Sequence, residues 1–106
     1  MSSPDLGSWL RRAQEVQGRL AALQRELAGR TVQGSAGAGL VTATASGALR
    51  VLAIEIDPKL LAEGDRALLQ DLIAAAVNAA LQNAQRMVQE EMQRAAGALG
   101  LPGAPG

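Results

Sequence analysis

The residues that invite a chemical reading are the glycines of 32-VQGSAGAGLVTATASG-47. Gly34 and Gly39 satisfy the G-x-x-x-x-G half of a phosphate-cradling loop. In such a loop backbone N–H groups ring the phosphates and a lysine reaches the terminal ones. Here Leu40 and Val41 stand where that lysine and its Ser/Thr neighbour are required. Gly37-Ala38-Gly39 opens a dinucleotide fingerprint, but the third glycine would fall at Thr42. Both motifs also need a helix after the glycines, and the residues that follow alternate as a strand does. The expected role is architectural. Gly37 and Gly39 should form a tight turn or bulge between two strands, and Gly34 should mark a close approach of backbones.

The other reactive groups are sparse. Glu55 and Asp57 lie one pleat apart, a spacing that suits acid–base work or a metal. No third ligand is evident, so a solvated strand face is expected, with Asp57-Pro58 turning the chain out of the strand. The chain has no histidine and no cysteine, which removes the commonest general base, the commonest metal ligand and any thiolate chemistry. No enzyme activity, cofactor or metal is expected.

Arginine supplies nine of the ten basic residues, and the formal net charge is zero. Residues 11–30 hold Arg11, Arg12, Arg19, Arg25 and Arg30 against Glu15 and Glu26. Residues 55–71 have the opposite bias, with Glu55, Asp57, Glu63, Asp65 and Asp71 against Lys59 and Arg66. Arginine suits bidentate phosphate contact, and a stripe of it on a projecting helix grips phosphates without reading sequence. The bland reading is a GC-rich coding bias and a solvated helix face, with Arg11–Glu15 as an i,i+4 pair. Composition and spacing alone favour the bland reading.

These residues need elements to carry them. Ala13, Val16, Leu20, Leu23 and Leu27 recur at spacings of three and four, the stripe of an amphipathic helix. From Arg30 the period changes to two. Strands are expected over Thr31–Ala36, Leu40–Ser46 and Leu49–Asp57, and their short connections make an antiparallel meander. Asp65 is the expected N-cap of a helix whose apolar residues run from Leu68 to Met92 without proline or glycine. Its second half should project or pack on a partner. Alanine at 74, 75, 76, 79 and 80 permits close helix approach in a monomer core or a dimer interface. Asn78 should hydrogen-bond across a helix interface and fix register, or contact nucleic acid. Trp9, the sole aromatic, should pack on Leu10 and Ala13 or on a partner chain; stacking on a base is the alternative. The division expected is a flexible leader over 1–8, one domain over 9–96 and a disordered tail over 97–106. The apolar run 72-LIAAAVNAAL-81 is far too short to span a membrane, and a cytosolic product is expected.

The ordered series Val32, Gly34, Ala36-Gly37, Gly39, Val41, Gly47, Val51, Ile54, Ile56-Asp57-Pro58 resembles the YbaB/EbfC family of bacterial nucleoid-associated proteins. The leucine- and alanine-rich 68-LLQDLIAAAVNAAL-81 and the glutamines Gln14, Gln17 and Gln24 are also similar, so the resemblance covers about residues 9–92. It implies an α+β fold of helix, three-stranded antiparallel sheet and long helix, dimerised through the core with projecting helical arms. It also implies a homodimer in the cytoplasmic nucleoid that binds double-stranded DNA with little sequence preference and helps compact or organise the chromosome. The family has no sharp contact motif, so the implied DNA-binding residues are the arm arginines: Arg11, Arg12, Arg19, Arg25 and Arg30, with Arg86 and Arg94 on the second helix. Where relatives often carry lysine after Val41, this chain has Thr42-Ala43-Thr44. The alternative function is a protein-interaction module whose long helix docks a replication or repair partner through residues 84–96.

Overall fold

A computed structural model describes residues 6–100. The elements are α1 (Leu6–Gly29), β1 (Thr31–Ala36), β2 (Val41–Ser46), β3 (Val51–Ile56), α2 (Pro58–Glu63) and α3 (Arg66–Ala98). Residues 1–5 of the expected leader over 1–8 and residues 101–106 of the expected tail over 97–106 lie outside the described residues. Both long helices reach past the domain limits expected from sequence, α1 starting at Leu6 and α3 ending at Ala98.

The strands form one antiparallel sheet in the order β1-β2-β3. The turn from β1 to β2 holds Gly37, Ala38 and Gly39 at φ of 65°, 56° and 91°. Three left-handed residues in a row reverse the chain tightly, and the two glycines carry that conformation without a Cβ penalty. The glycine stretch is therefore sheet architecture.

Period two explains which face is buried. Val41, Ala43 and Ala45 of β2 are inaccessible to solvent and pack with Ala76, Ala80 and Ala84 of α3. Val32, Gly34 and Ala36 of β1 pair with Ala45, Ala43 and Val41 and share that face. The opposite face carries Gln33, Ser35, Thr42 and Thr44. α3 crosses β1 and β2 and leaves β3 largely uncovered. Ile54 pairs with Ala43 on the α3 side yet stays 41% exposed, and Leu52, at an irregularity in the β2–β3 register, is 58% exposed.

The alanines of α3 divide accordingly. Ala76 and Ala80 belong to the core of the single chain, whereas Ala74 and Ala75 are exposed. Asn78 is exposed and makes no hydrogen bond among the described residues. The asparagine that does tie helix to sheet is Asn83, whose Nδ2 donates to the Gln33 carbonyl at 2.8 Å.

α2 was not foreseen from the sequence. Asp57 does not merely turn the chain; its side chain accepts from the Lys59 backbone N–H at 2.8 Å and caps a short helix. Pro58 sits at the first helical position, where a missing N–H costs nothing, and Gly64 closes the helix in a left-handed conformation. The helix plugs Leu60 into the core at 1% exposure. Asp65 then caps α3 as expected, its Oδ1 accepting from Leu68 N–H at 3.0 Å. Asp65→Ala should cost about 1 kcal/mol. Urea unfolding checks it, and an unchanged midpoint would show that the cap contributes nothing.

Candidate nucleic-acid interface

α3 is about 50 Å long, more than the sheet can cover. Its C-terminal half leaves the sheet and meets α1 returning alongside. The stripe of Ala13, Val16, Leu20, Leu23 and Leu27 is the less exposed side of α1. On α3, Met87, Val88, Met92, Ala95 and Ala96 are half-buried. The result is a two-helix arm on an elongated molecule of 78 × 24 × 16 Å. Its radius of gyration is 20.6 Å, against about 13 Å for a compact chain of this length.

Gly47 fixes where the arm leaves the sheet. A Cβ there would collide with the Leu27 carbonyl group, so the sheet end and the last turn of α1 touch backbone to backbone. The Gly47 N–H donates to the Arg30 carbonyl at 3.0 Å and completes the joint.

The charges separate along this frame. Arg11, Arg12, Arg19 and Arg25 are exposed on α1 in the arm. Exposed Glu15, Glu26 and Glu90 share the arm, whereas exposed Glu55, Glu63, Asp65 and Asp71 lie at the sheet end among Arg50, Lys59 and Arg66. A molecule of zero net charge thus has a basic bias along the arm and an acidic bias at the sheet end.

The seven arginines singled out from sequence are not equivalent. Glu91 takes two of them: its Oε1 lies 2.7 Å from Arg94 Nη1 and 3.4 Å from Arg30 Nη1. The hydrogen bond from Arg94 holds the Glu91 carboxyl below the usual glutamate value; desolvation opposes it, and attraction to Arg94 and Arg30 adds to it. Glu91 therefore stays ionised and offsets part of the charge of both arginines. Arg11, Arg12, Arg19, Arg25 and Arg86 make no ion pair among the described residues, and the expected Arg11–Glu15 pair is absent from them.

Arg12 and Arg19, seven residues apart on α1, flank the end of α3 beside Glu15, Val16, Ala98 and Leu99. Two turns separate them, about 10 Å along the helix. Arg86 lies on α3 near the sheet and outside this pair. Glu91 is what sequence reasoning missed, because it is brought to Arg30 only when the arm folds.

No group of three or more metal-ligating side chains occurs among the described residues, and no helix there is long and apolar enough to cross a membrane. The arrangement offers no convergent acid, base or nucleophile. What it offers is an exposed guanidinium surface able to hold phosphates.

Known proteins resemble this chain over nearly its whole length. A nucleoid-associated protein of Rhodococcus erythropolis is 42% identical over 106 residues, covering 98% of this chain and 95% of the relative. A nucleoid-associated protein of Thermoanaerobacter pseudethanolicus is 38% identical over 99 residues, covering 93% and 89%. The crystal structure of the uncharacterized protein HP0035 from Helicobacter pylori shares the fold, with a TM-score of 0.61 at 16% identity over 76% of this chain and 93% of that one. The family model described as the YbaB/EbfC DNA-binding family matches residues 2–99. A match over nearly the whole length, together with these relatives, places the chain in the YbaB/EbfC family of nucleoid-associated, DNA-binding proteins.

Proposed function

We propose that the protein is a homodimer that binds double-stranded DNA through its arms with little sequence preference, and that it helps compact or organise the chromosome in the cytoplasmic nucleoid. It performs no catalysis. The observation that carries the reading is the pair Arg12 and Arg19, exposed, free of ion pairs among the described residues and aligned on the arm. Guanidinium groups on a helix contact phosphates without touching base edges, so affinity exceeds sequence discrimination. Arg11 and Arg25 extend the contact. Arg30, Arg94 and Arg86 contribute less, the first two because Glu91 shares their charge.

What the single chain leaves uncovered supports the dimer. Five of the eight buried apolar residues described are alanine, namely Ala43, Ala45, Ala76, Ala80 and Ala84. Meanwhile Val51, Leu52 and Ile54 stand exposed on the edge strand β3. A second copy covering β3 completes the core and removes an unpaired sheet edge. Two arms on one dimer can then hold DNA together.

The protein-docking alternative needs the apolar positions of 84–96 free. Ala84 is buried and Met87, Val88, Met92, Ala95 and Ala96 are half-buried, so the observations favour DNA.

The double variant Arg12→Ala, Arg19→Ala tests the assignment. Its affinity for a duplex at low salt should fall tenfold or more, and its salt slope should flatten by about two for each arm engaged. Both positions are exposed, so the fold should survive, which circular dichroism checks. A folded variant with unchanged affinity and slope would remove these arginines from the interface.

A further inference from the structure

We infer that Trp9 is a base-contacting wedge, inserted against a step of the DNA duplex while the neighbouring arginines hold the phosphates. This deepens the proposed DNA-binding function and rests on it. Trp9 lies on the same side of α1 as Val16, Leu20 and Leu27, the side that packs along α3. α3 ends before it can cover this turn, and Trp9 is left 66% exposed. Beside it Leu10 is itself 51% exposed and Leu6 68%, so the neighbours on α1 leave the indole open. Trp9, Arg12, Ala13 and Val16 face Leu99 and Gly100 across an open groove of about 570 Å³.

A large apolar side chain held in water at the tip of a basic arm needs an occupant, and the charge selects it. Arg12 lines the groove itself, Arg11 adjoins it, Arg19 lies two turns on with Glu15 between, and the first turn of α1 contains no acid. A base step flanked by phosphates satisfies both the indole and the guanidinium groups. Proteins that grip DNA without reading it commonly insert such wedges between bases and bend the duplex. Stacking of an aromatic side chain on a base is tolerant of sequence, in keeping with a weak sequence preference.

Trp9 is the only aromatic residue of the chain, so its emission reports this site alone. The experiment titrates the full-length protein with an unlabelled 30-base-pair duplex while following that emission. A parallel titration with an end-labelled duplex reads binding by anisotropy. Emission should be strongly quenched in step with saturation. Trp9→Ala should weaken binding by roughly 5- to 150-fold, the stacking contribution of one base expressed as affinity. Trp9→Phe should restore most of the loss. If the duplex binds while emission and the affinity of Trp9→Ala are unchanged, the wedge is overturned and DNA binding stands. If emission is already shielded from iodide before DNA is added, the site is filled by the chain itself or by a second copy, and the wedge is likewise overturned. If no duplex binds at low salt, both the wedge and the function beneath it fall.

Discussion

Replacing Gly34 by alanine is expected to lift α3 off the sheet. Gly34 sits in the middle of β1, opposite Ala43 and directly beneath the helix. A Cβ at this position would lie 2.7 Å from Ala80 Cα and 2.6 Å from the Ala79 carbonyl carbon, and it would collide with the Ala80 backbone nitrogen. These are main-chain atoms, so no rotamer change relieves the clash. Either the strand bends or the helix moves away, and Ala76 and Ala80 lose their seat on Ala43 and Ala45. Overpacking a core ordinarily costs about 1–3 kcal/mol, and an obstacle made of backbone belongs at or above the top of that range. A domain of this size has roughly 5–15 kcal/mol in total. With a denaturant dependence of about 1–1.5 kcal/mol per molar urea, the midpoint should drop by 2 M or more. A midpoint within 0.5 M, roughly, of the parent protein would show that helix and strand are not in contact there.

The second large effect concerns β3. Ile54→Asp should turn the proposed homodimer into a monomer. Ile54 lies on the side of the sheet that α3 covers over β1 and β2 but not over β3, and Val51 and Leu52 are exposed beside it. A carboxylate in the middle of such a contact loses its water without gaining a partner, which costs several kcal/mol per copy. Each copy of a symmetric dimer contributes one, so the dissociation constant should rise by at least about a hundredfold. Sedimentation at micromolar concentration reads the mass, and circular dichroism checks that the variant retains its helices. A folded variant that remains dimeric would place the contact elsewhere.

Most of the architecture could be read from periodicity and caps. The change to period two at Arg30 marked the sheet, and Asp65 marked the start of α3, because both signals are local and strong. Gly34 could be placed at a close backbone approach, though not which backbone, since Ala80 is 46 positions further on. α2 was missed although Asp57, Pro58 and Gly64 are good boundary signals; six residues are too few for a helical period to show. Asn78 drew attention as the polar residue inside an apolar run, yet Asn83, one turn nearer the arm, reaches the sheet. Which asparagine faces the strand depends on how α3 is rotated, and that is set by packing against Gly34. The candidate interface was legible only as a set of arginines. Their ranking came from Glu91, which is close to Arg94 in sequence but meets Arg30 only through the fold. The exposure of Trp9 depends on α3 ending short of α1, a comparison of lengths that no local pattern carries.

The central claim is that the basic arms hold the phosphates of duplex DNA. It is tested most directly by the affinity of the unmodified protein, its mass measured in solution, for a labelled 30-base-pair duplex across a series of salt concentrations. A dimer should bind with a log–log slope near −3 or −4, the release expected when about four phosphates are neutralised, and a duplex of scrambled sequence should bind nearly as well. A dimer that binds neither duplex at low salt, or whose affinity does not change with salt, would contradict the account.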